Sequence, residues 1–451
     1  MAAPDICSRS RYSSMTALEE LNRTTLLCRD YVAEGLSDIE IGHSFRSLRV
    51  LCVSDLQNLS SHSGQTALVT LVSLLSRMGI QVGLAVPDVA MLFPQPPLSG
   101  SSLRSALIAS SEIFVTGATV RCDSDCNPDL IFVLGDSKID TGQANSWRLS
   151  GSDWYGALKM EESVKTKAWT AEWPIGSMVS AAMAANEAFK FVMRRLPLRD
   201  PADSIFFEPS PSCSWNFGSL PIRSQDVDLG EVDLISAGAI SQAALYALMR
   251  LPKVFMWGRI FDDDVTGRSN LNRNMLTLVS DVGLKKVLVV AQRCGTKLRL
   301  EPVPNRFTHR PSNPRTLAPR VLVGVDDIPS RWQVQRSAPG WLAVGGTSHF
   351  SVSSSAHLPD EPCCGCLHPV DDPAGANPIP TVSFVSFWAG LAMAVRLVRE
   401  ALAIPYSRNQ QHLWLTPLRM DLPHAGMWSP VASRQDCPVP CFSSTASCSK
   451  R

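Results

Sequence analysis

Residues 262 to 274 read DDDVTGRSNLNRN, three aspartates, three asparagines and two arginines in one short stretch after an apolar run. Alone, such a stretch is an ordinary solvated loop. Its neighbours give it a chemistry. Upstream, SAGAIS (Ser236 to Ser241) follows a strand pattern and opens a helix, where glycine lets the backbone approach a phosphate and the helix N-terminus supplies N–H donors. Gly238 is present, but Ser236 and Ser241 stand where the first and third glycines of such loops are usual. Asp262 falls at the end of the next strand, the place where nucleotide-binding sheets put an acid on a ribose hydroxyl pair. Asn270 and Arg273 follow on a short helical turn, a neutral donor and a planar cation suited to phosphate oxygens, and Lys286 adds an ammonium. Asp326 ends a later strand, five residues before Arg331, and is placed to hold Mg²⁺ beside the phosphates.

A second group of residues is built on sulfur. Five of the thirteen cysteines fall in two groups, CCGC (Cys363, Cys364, Cys366) and CPVPC (Cys437, Cys441). Cys363, Cys366, Cys437 and Cys441 have the spacing of a tetrahedral Cys₄ zinc site joining a loop to the C-terminal tail. The scattered cysteines read as buried free thiols. His349, His357 and His368 flank the loop and could tune a thiolate or bind metal, although isolated histidines are more often ordinary surface or core residues.

Positioning such groups takes a sheet with helices. LRVLCVSD (48–55), IQVGLAVPD (80–88) and DLIFVLGDS (129–137) have the look of buried strands, with helical spacing in TALVTLVSLLSRMG (66–79) between the first two. The helix SMVSAAMAANEAFKFVMRRL (177–196) closes this half, and a Pro- and Ser-rich stretch (197–225) follows. The plan then repeats. Strand VDLISAG (232–238), helix AISQAALYALMRL (239–251), strand KVFMWGRIFD (253–262), the run LKKVLVVAQ (284–292), strand RVLVGVD (320–326) and a closing helix over 381–402 follow in order. The expectation is an α/β chain of two tandem Rossmann-like halves, each a mostly parallel sheet flanked by helices. The domains then run 1–45 (N-terminal helical segment), 46–200, a linker at 201–229, 230–405, and a tail at 406–451 carrying the second Cys pair. Both closing helices follow a proline and start with small residues, which suggests an internal duplication.

Composition narrows the function classes. A formal net charge of +1 on 451 residues, with Lys and Arg spread along the chain, gives no basic tract for nucleic acid or a membrane surface. The opening MAAPDICSRSRYSSM lacks a basic segment followed by a long apolar one, and the least polar helix is interrupted by Arg396. A soluble cytoplasmic protein is the expectation.

The order strand, GAG-type loop, D-x-D, SNLNR, G-x-x-K and a strand ending in D-x-x-x-x-R resembles the adenylation domain shared by ThiF, MoeB and ubiquitin-activating E1 enzymes. Here these elements are SAGAIS, Asp262 with Asp264, SNLNR (269–273), Gly283 to Lys286, and Asp326 to Arg331. The resemblance implies ATP-dependent adenylation of the C-terminal glycine of a ubiquitin-like or sulfur-carrier protein. It implies Asp262 on the ribose, Asn270, Arg273 and Lys286 on the triphosphate, and Asp326 on Mg²⁺ near the attacked α-phosphate. Structural zinc on paired cysteines is also a property of that family. The first half has no glycine triplet and no SNLNR counterpart, so it resembles the inactive half of paired E1 enzymes. Such a half can lend an arginine to the active site, and Arg9, Arg11, Arg23 and Arg29 are all candidates. A thioester cysteine belongs on a crossover loop, here 347–379. If zinc takes Cys363 and Cys366, Cys364 is the thiol left there, with Cys448 on the tail as the second candidate; without zinc, Cys363 or Cys366 is free for the role. Within the superfamily the pattern most resembles the E1 component (BilD type) of bacterial ubiquitin-like (BIL) antiphage conjugation operons, acting with a ubiquitin-like protein and an E2-like enzyme. The two halves would form a pseudo-dimer. A ThiF/MoeB-like adenylyltransferase for a sulfur carrier, or a catalytically dead scaffold, are the alternatives.

Overall fold

The computed structural model describes residues 6–122, 127–138, 145–160, 169, 171–218, 226–309, 317–370, 379–405 and 407–439, the side chains of 6–17 excepted. The first half opens with helices α1 (Ile6–Arg29) and α2 (Asp38–Ser47). Then come β1 (Arg49–Val53), α3 (Leu56–Leu59), α4 (His62–Arg77), β2 (Gln81–Ala85), α5 (Leu103–Ala109), β3 (Val120–Arg121) and β4 (Leu130–Leu134). It ends with β5 (Asn145–Ser152), β6 (Tyr155–Lys159), α6 (Ile175–Arg195), α7 (Ser204–Phe207) and β7 (Ser212–Asn216). The second half comprises β8 (Val227–Ile235), α8 (Ala239–Arg250), β9 (Val254–Phe261), α9 (Lys286–Cys294), β10 (Leu298–Val303), β11 (Arg320–Val323) and α10 (Ile328–Arg336). It continues with β12 (Trp341–Ser348), β13 (Ser351–His357), α11 (Cys364–Leu367), α12 (Ser383–Ala401), β14 (His412–Leu415) and β15 (Gly426–Ser429).

The two sheets have the same plan. Their strand orders are β3-β2-β1-β4-β5-β6-β7 and β10-β9-β8-β11-β12-β13-β14-β15. In each, the first five strands are parallel and the remainder antiparallel. Strand order reverses between β1 and β4 and again between β8 and β11, and such switch points open a crevice at the carboxyl ends of the strands. Helix α6 joins β6 to β7 as α12 joins β13 to β14. Among the parallel strands, the central β1, β4 and β11 are short apolar runs buried at nearly every position, whereas β2, β5, β9 and β10 alternate buried with more exposed positions. This matches the expected pair of α/β halves.

Two expected boundaries are corrected. The stretch 201–229 holds β7 of the first sheet and the start of β8, and the tail from 406 holds β14 and β15 of the second sheet. SCSWN, HLWL and GMWS are mixed runs with exposed or half-buried positions, which do not stand out as strands. They pair because neighbouring strands leave ladder groups that need partners.

Helix α6 is buried continuously from Ile175 to Met193, and α12 from Ser383 to Arg399. A helix buried on every side sits inside the protein, its charged groups partnered as Lys190 is with Glu187 at 2.6 Å, and these two helices meet where the halves join. Their small early residues have a use here. A Cβ on Gly176 would overlap the Tyr155 carbonyl, and one on Gly390 would overlap the Ile240 carbonyl, so both positions allow backbone-to-backbone contact. One core cluster runs through both halves, from Leu27 to Ala425. Burial of each large apolar side chain in it contributes about 1.5–3 kcal/mol. Polar contacts cross the seam too: His62 Nε2 lies 2.7 Å from the Arg250 carbonyl, and the Ser383 hydroxyl donates to Leu74 O at 3.1 Å.

Candidate active site

The crevice at the carboxyl ends of β8, β9 and β11 collects the chemistry-bearing residues. At the end of β8, Ser236 takes φ +88°, a left-handed conformation that favours glycine. Its hydroxyl accepts the Gly238 N–H at 2.9 Å and donates to Asp262 at 3.3 Å. These bonds hold the turn in the absence of the usual glycine. Gly238 is the N-cap of α8. Ser241 is buried, and a Cβ on Gly324 would meet its hydroxyl. The small residue that lets α8 approach the end of β11 is thus on the strand side rather than the helix side.

Asp262 directly follows β9, where it accepts the Ala237 N–H at 2.7 Å and the Asp264 N–H at 2.9 Å. It therefore fixes the loop and also lines the crevice. Lys286, at the first turn of α9, pairs with Asp264 at 2.6 Å. Asn270 has its side-chain oxygen held by the Gly267 N–H at 2.8 Å, so its amide nitrogen is the group left to offer a ligand. The Arg273 guanidinium bonds the Ser269 carbonyl and Asn272 Oδ1.

These side chains surround one cavity of about 150 Å³, which includes Arg23, Gly238, Asp262, Asn270, Arg273, Lys286 and Asp326. An adjoining cavity of about 350 Å³ shares Ser236, Asp262, Asp264 and Asp326 and adds Phe261 and Phe307, whose rings meet edge-on at 5.8 Å. The first is polar, lined by the cations Arg23, Arg273 and Lys286 and the carboxylates Asp262, Asp264 and Asp326; the second combines carboxylates with aromatic walls. A larger cavity of about 490 Å³, lined by Trp154, Phe217, Arg399 and Trp428, lies at the seam and holds none of these groups.

Arg23 comes from α1, in the first half, and reaches the second half's crevice. It donates to Ile379 O at 3.1 Å, and its own carbonyl accepts the Thr381 N–H at 3.3 Å. Burial lowers the pKa of Arg23, and the Asp326 carboxylate opposes this. Burial also lowers that of Arg273, Arg23 lowers it further, and Asp326 again pulls the other way. Arg23 thus works against the charge of Arg273 in the same cavity. Sequence gave no means of choosing among the four arginines. Arg29 pairs with Asp38 at 2.7 Å, away from the crevice, and the side chains of Arg9 and Arg11 lie outside the described residues. Thr347, Thr381 and Ser386 also line the cavity and carried no sequence signal.

Arg331 does not join the cluster. Its guanidinium bonds the Val325 carbonyl at 3.0 and 3.2 Å and lies 3.3 Å from His368 Nε2, which places it beneath the crevice as a brace.

The corresponding place in the first half is filled by its own chain. After β1, the short α3 inserts Asn58, whose amide donates to Asp55 at 2.9 Å, Ser137 at 3.1 Å and Asp136 at 3.3 Å. A Cβ on Gly135 would overlap the Asn58 side chain, so little room remains for a phosphate.

Three expected zinc ligands converge. Cys363 Sγ lies 3.4 Å from Cys437 Sγ and 3.9 Å from Cys366 Sγ, close to the edge of about 3.8 Å that a tetrahedron with Zn–S bonds of about 2.3 Å requires. Cys441, the fourth, lies outside the described residues, as does Cys448. Burial raises the pKa of the Cys363 and Cys437 thiols, which a bound cation would reverse. The three thiols present fit the metal.

Cys364 is buried at the start of α11, where its thiol faces the Arg331 carbonyl at 3.5 Å and packs among Ile235, Val323 and Val344. Burial pushes it up to about 12, against the pull of Arg331. In this arrangement the thiol is buried and does not line the crevice.

Comparison with known proteins adds a family. Residues 47–199 match the BilD N-terminal domain. An uncharacterized protein, y4jF, of Sinorhizobium fredii is 32% identical over 146 residues, covering 32% of this chain and 28% of that protein. The chain thus spans under a third of that relative's length. Solved structures similar to it include PaaA, at 13% identity and a TM-score of 0.33 over 42% of this chain and 60% of that one. Escherichia coli MccB with succinimide is another, at 13% identity and 0.36 over 46% of this chain and 66% of that one. Residues 47–199, most of the first half, thus match the BilD N-terminal domain family.

Proposed function

We propose that the chain is an E1-like activating enzyme that adenylates the C-terminal glycine of a ubiquitin-like protein and passes it, through a cysteine thioester, to an E2-like enzyme. Its setting would be a bacterial antiphage conjugation system. The observation that carries this reading is the crevice itself: Arg23, Arg273, Lys286 and Asn270 face Asp262 and Asp326 across adjoining cavities at a sheet switch point. In the reaction, a carboxylate oxygen of the glycine attacks the α-phosphorus of ATP, the bond to pyrophosphate breaks, and pyrophosphate leaves with the electron pair. Such chemistry depends mainly on positioning and charge neutralisation. Arg23, Arg273 and Lys286 offset the charge that builds on the phosphates. Asp262 would meet the ribose, and Asp326 would hold Mg²⁺, which would supply Lewis-acid polarisation of phosphate oxygens. The filled pocket around Asn58 supports an inactive first half, retained for Arg23 and for the seam.

Zinc would be held by Cys363, Cys366 and Cys437, with Cys441 as fourth ligand, and would tie the crossover loop to the tail. Cys364 is the proposed thioester site. Its thiolate would attack the acyl carbonyl and expel AMP, which requires α11 to leave its seat.

The burial of Cys364 favours a second reading, an adenylyltransferase that ends at the acyl-adenylate and serves a sulfur carrier. ATP–pyrophosphate exchange with a candidate ubiquitin-like partner, run beside non-reducing gels, separates the two. Exchange with a reducible adduct lost in Cys364→Ala supports conjugation, and exchange without any adduct supports sulfur transfer. Absence of exchange with every carrier leaves a nucleotide-free scaffold.

A further inference from the structure

The segment that carries Asn270 and Arg273 has little regular structure of its own. Beyond a single 3-10 turn over Arg268–Asn270 it runs to residue 279 without helix or strand of any length. Buried backbone carbonyls there need donors from elsewhere. Arg77, the last residue of α4 in the first half, supplies them. Its Nη1 donates to Leu271 O at 2.6 Å, and its Nη2 donates to Met275 O and Thr277 O, both at 2.9 Å.

Arg77 is completely buried, with its guanidinium 4.8 Å from the Phe114 ring centroid. A planar fork of donors reaches three carbonyls at once, which the single ammonium of a lysine cannot do with the same geometry. Other first-half groups hold the same segment at its flanks. Glu20 pairs with Arg268 at 2.8 Å, Thr24 accepts from the Asn272 amide at 3.1 Å, and Ile113 O accepts the Val279 N–H at 2.8 Å. From the second half, Gln242 Oε1 accepts the Leu276 N–H and the Thr277 hydroxyl at 3.0 Å. The Leu271 and Met275 carbonyls bracket Arg273, so the Arg77 fork fixes the backbone on both sides of the cation that faces the phosphate cavity.

We propose that Arg77 of the first half is a positioning residue for nucleotide binding, holding the 271–277 backbone so that Asn270 and Arg273 face the crevice. It touches no reacting atom. Its role rests on the reading of the crevice as an ATP site, and it gives the first half a second contribution besides Arg23.

The test uses the full chain with Arg77→Lys and Arg77→Met, measuring Mg·ATP affinity by calorimetry, the KM and kcat of pyrophosphate exchange, thermal midpoint, and amide hydrogen exchange over 271–277. A displaced clamp raises the Kd and KM for ATP about tenfold or more in Arg77→Met while kcat changes far less. Arg77→Lys recovers part of the affinity, and amides 271–277 exchange faster in both variants. Unchanged ATP affinity in both variants, with a lowered thermal midpoint, overturns the role and leaves Arg77 as a residue of stability alone. Failure of both variants to fold overturns it in the same way. Wild-type protein that binds no Mg·ATP overturns the ATP reading together with this role, whereas wild-type binding with unaffected variants overturns this role alone.

Discussion

Arg23 and Arg273 are the pair on which the crevice turns. Burial lowers both, Arg23 works further against the charge of Arg273, and Asp326 gives the opposing pull. A polyphosphate relieves that conflict, so removing either cation should cost more in the complex than in the free protein. Arg23→Ala is expected to lower kcat/KM for pyrophosphate exchange by about a hundredfold, the loss typical of a charged group aimed at a reacting phosphate, with the thermal midpoint nearly unchanged. A drop of less than threefold would remove Arg23 from the site. The buried histidines set a pH dependence of another kind. Burial pulls His62 and His357 down to about 4. An exposed histidine titrates near 6.5, so between these values the unfolded chain binds protons that the folded chain refuses. Stability should therefore fall as pH drops from about 6.5 to about 4, by on the order of 3 kcal/mol for each histidine at the lower end. Urea denaturation across that range checks it, and His62→Gln should flatten the slope.

At the scale of elements, the closing helices and the cysteine loop are the sensitive parts. Gly390 lets α12 lie against α8 with backbone in contact, so Gly390→Val should cost about 1–3 kcal/mol through overpacking. Chemical denaturation measures this, and a neutral result would mean that the two helices are free to separate. The convergence of Cys363, Cys366 and Cys437 predicts that metal removal acts on the junction of α11 with the tail. A zinc chelator should lower the thermal midpoint by several degrees and release about one zinc per chain, and Cys437→Ser should abolish both effects. Much of this scale was legible in sequence: the apolar runs of β1, β4, β8 and β11 and the long closing helices stand out by period. Strands β7, β14 and β15 did not. They are short and partly exposed, and what makes them strands is the ladder beside them.

At the scale of the whole molecule, one core crosses both halves, and α6, α12, α4 and α8 bury their faces against one another. Thermal unfolding is therefore expected as a single cooperative transition with equal calorimetric and van't Hoff enthalpies. Two resolved transitions would mean that the halves are independent domains. No helix among the described residues is long and apolar enough to cross a membrane.

The residues of the candidate nucleotide site in the second half were legible in the sequence, because Asp262, Asn270, Arg273, Lys286 and Asp326 are types that phosphate chemistry requires and they follow strand ends in chain order. The repeated strand–helix plan was legible for the same reason, since hydrophobic period is a local property. Which arginine of the first half enters that site was not, because Arg23 lies some 250 residues from Arg273 along the chain and only the packing of α1 against the 268–272 segment brings them together. Arg77 carried no signal at all: its role consists of hydrogen bonds to backbone carbonyls, which have no side-chain identity to read. The burial of Cys364 was equally hidden, because a thiol's reactivity depends on its surroundings, and those are assembled from β8, β11, β12 and α10 only in the folded chain.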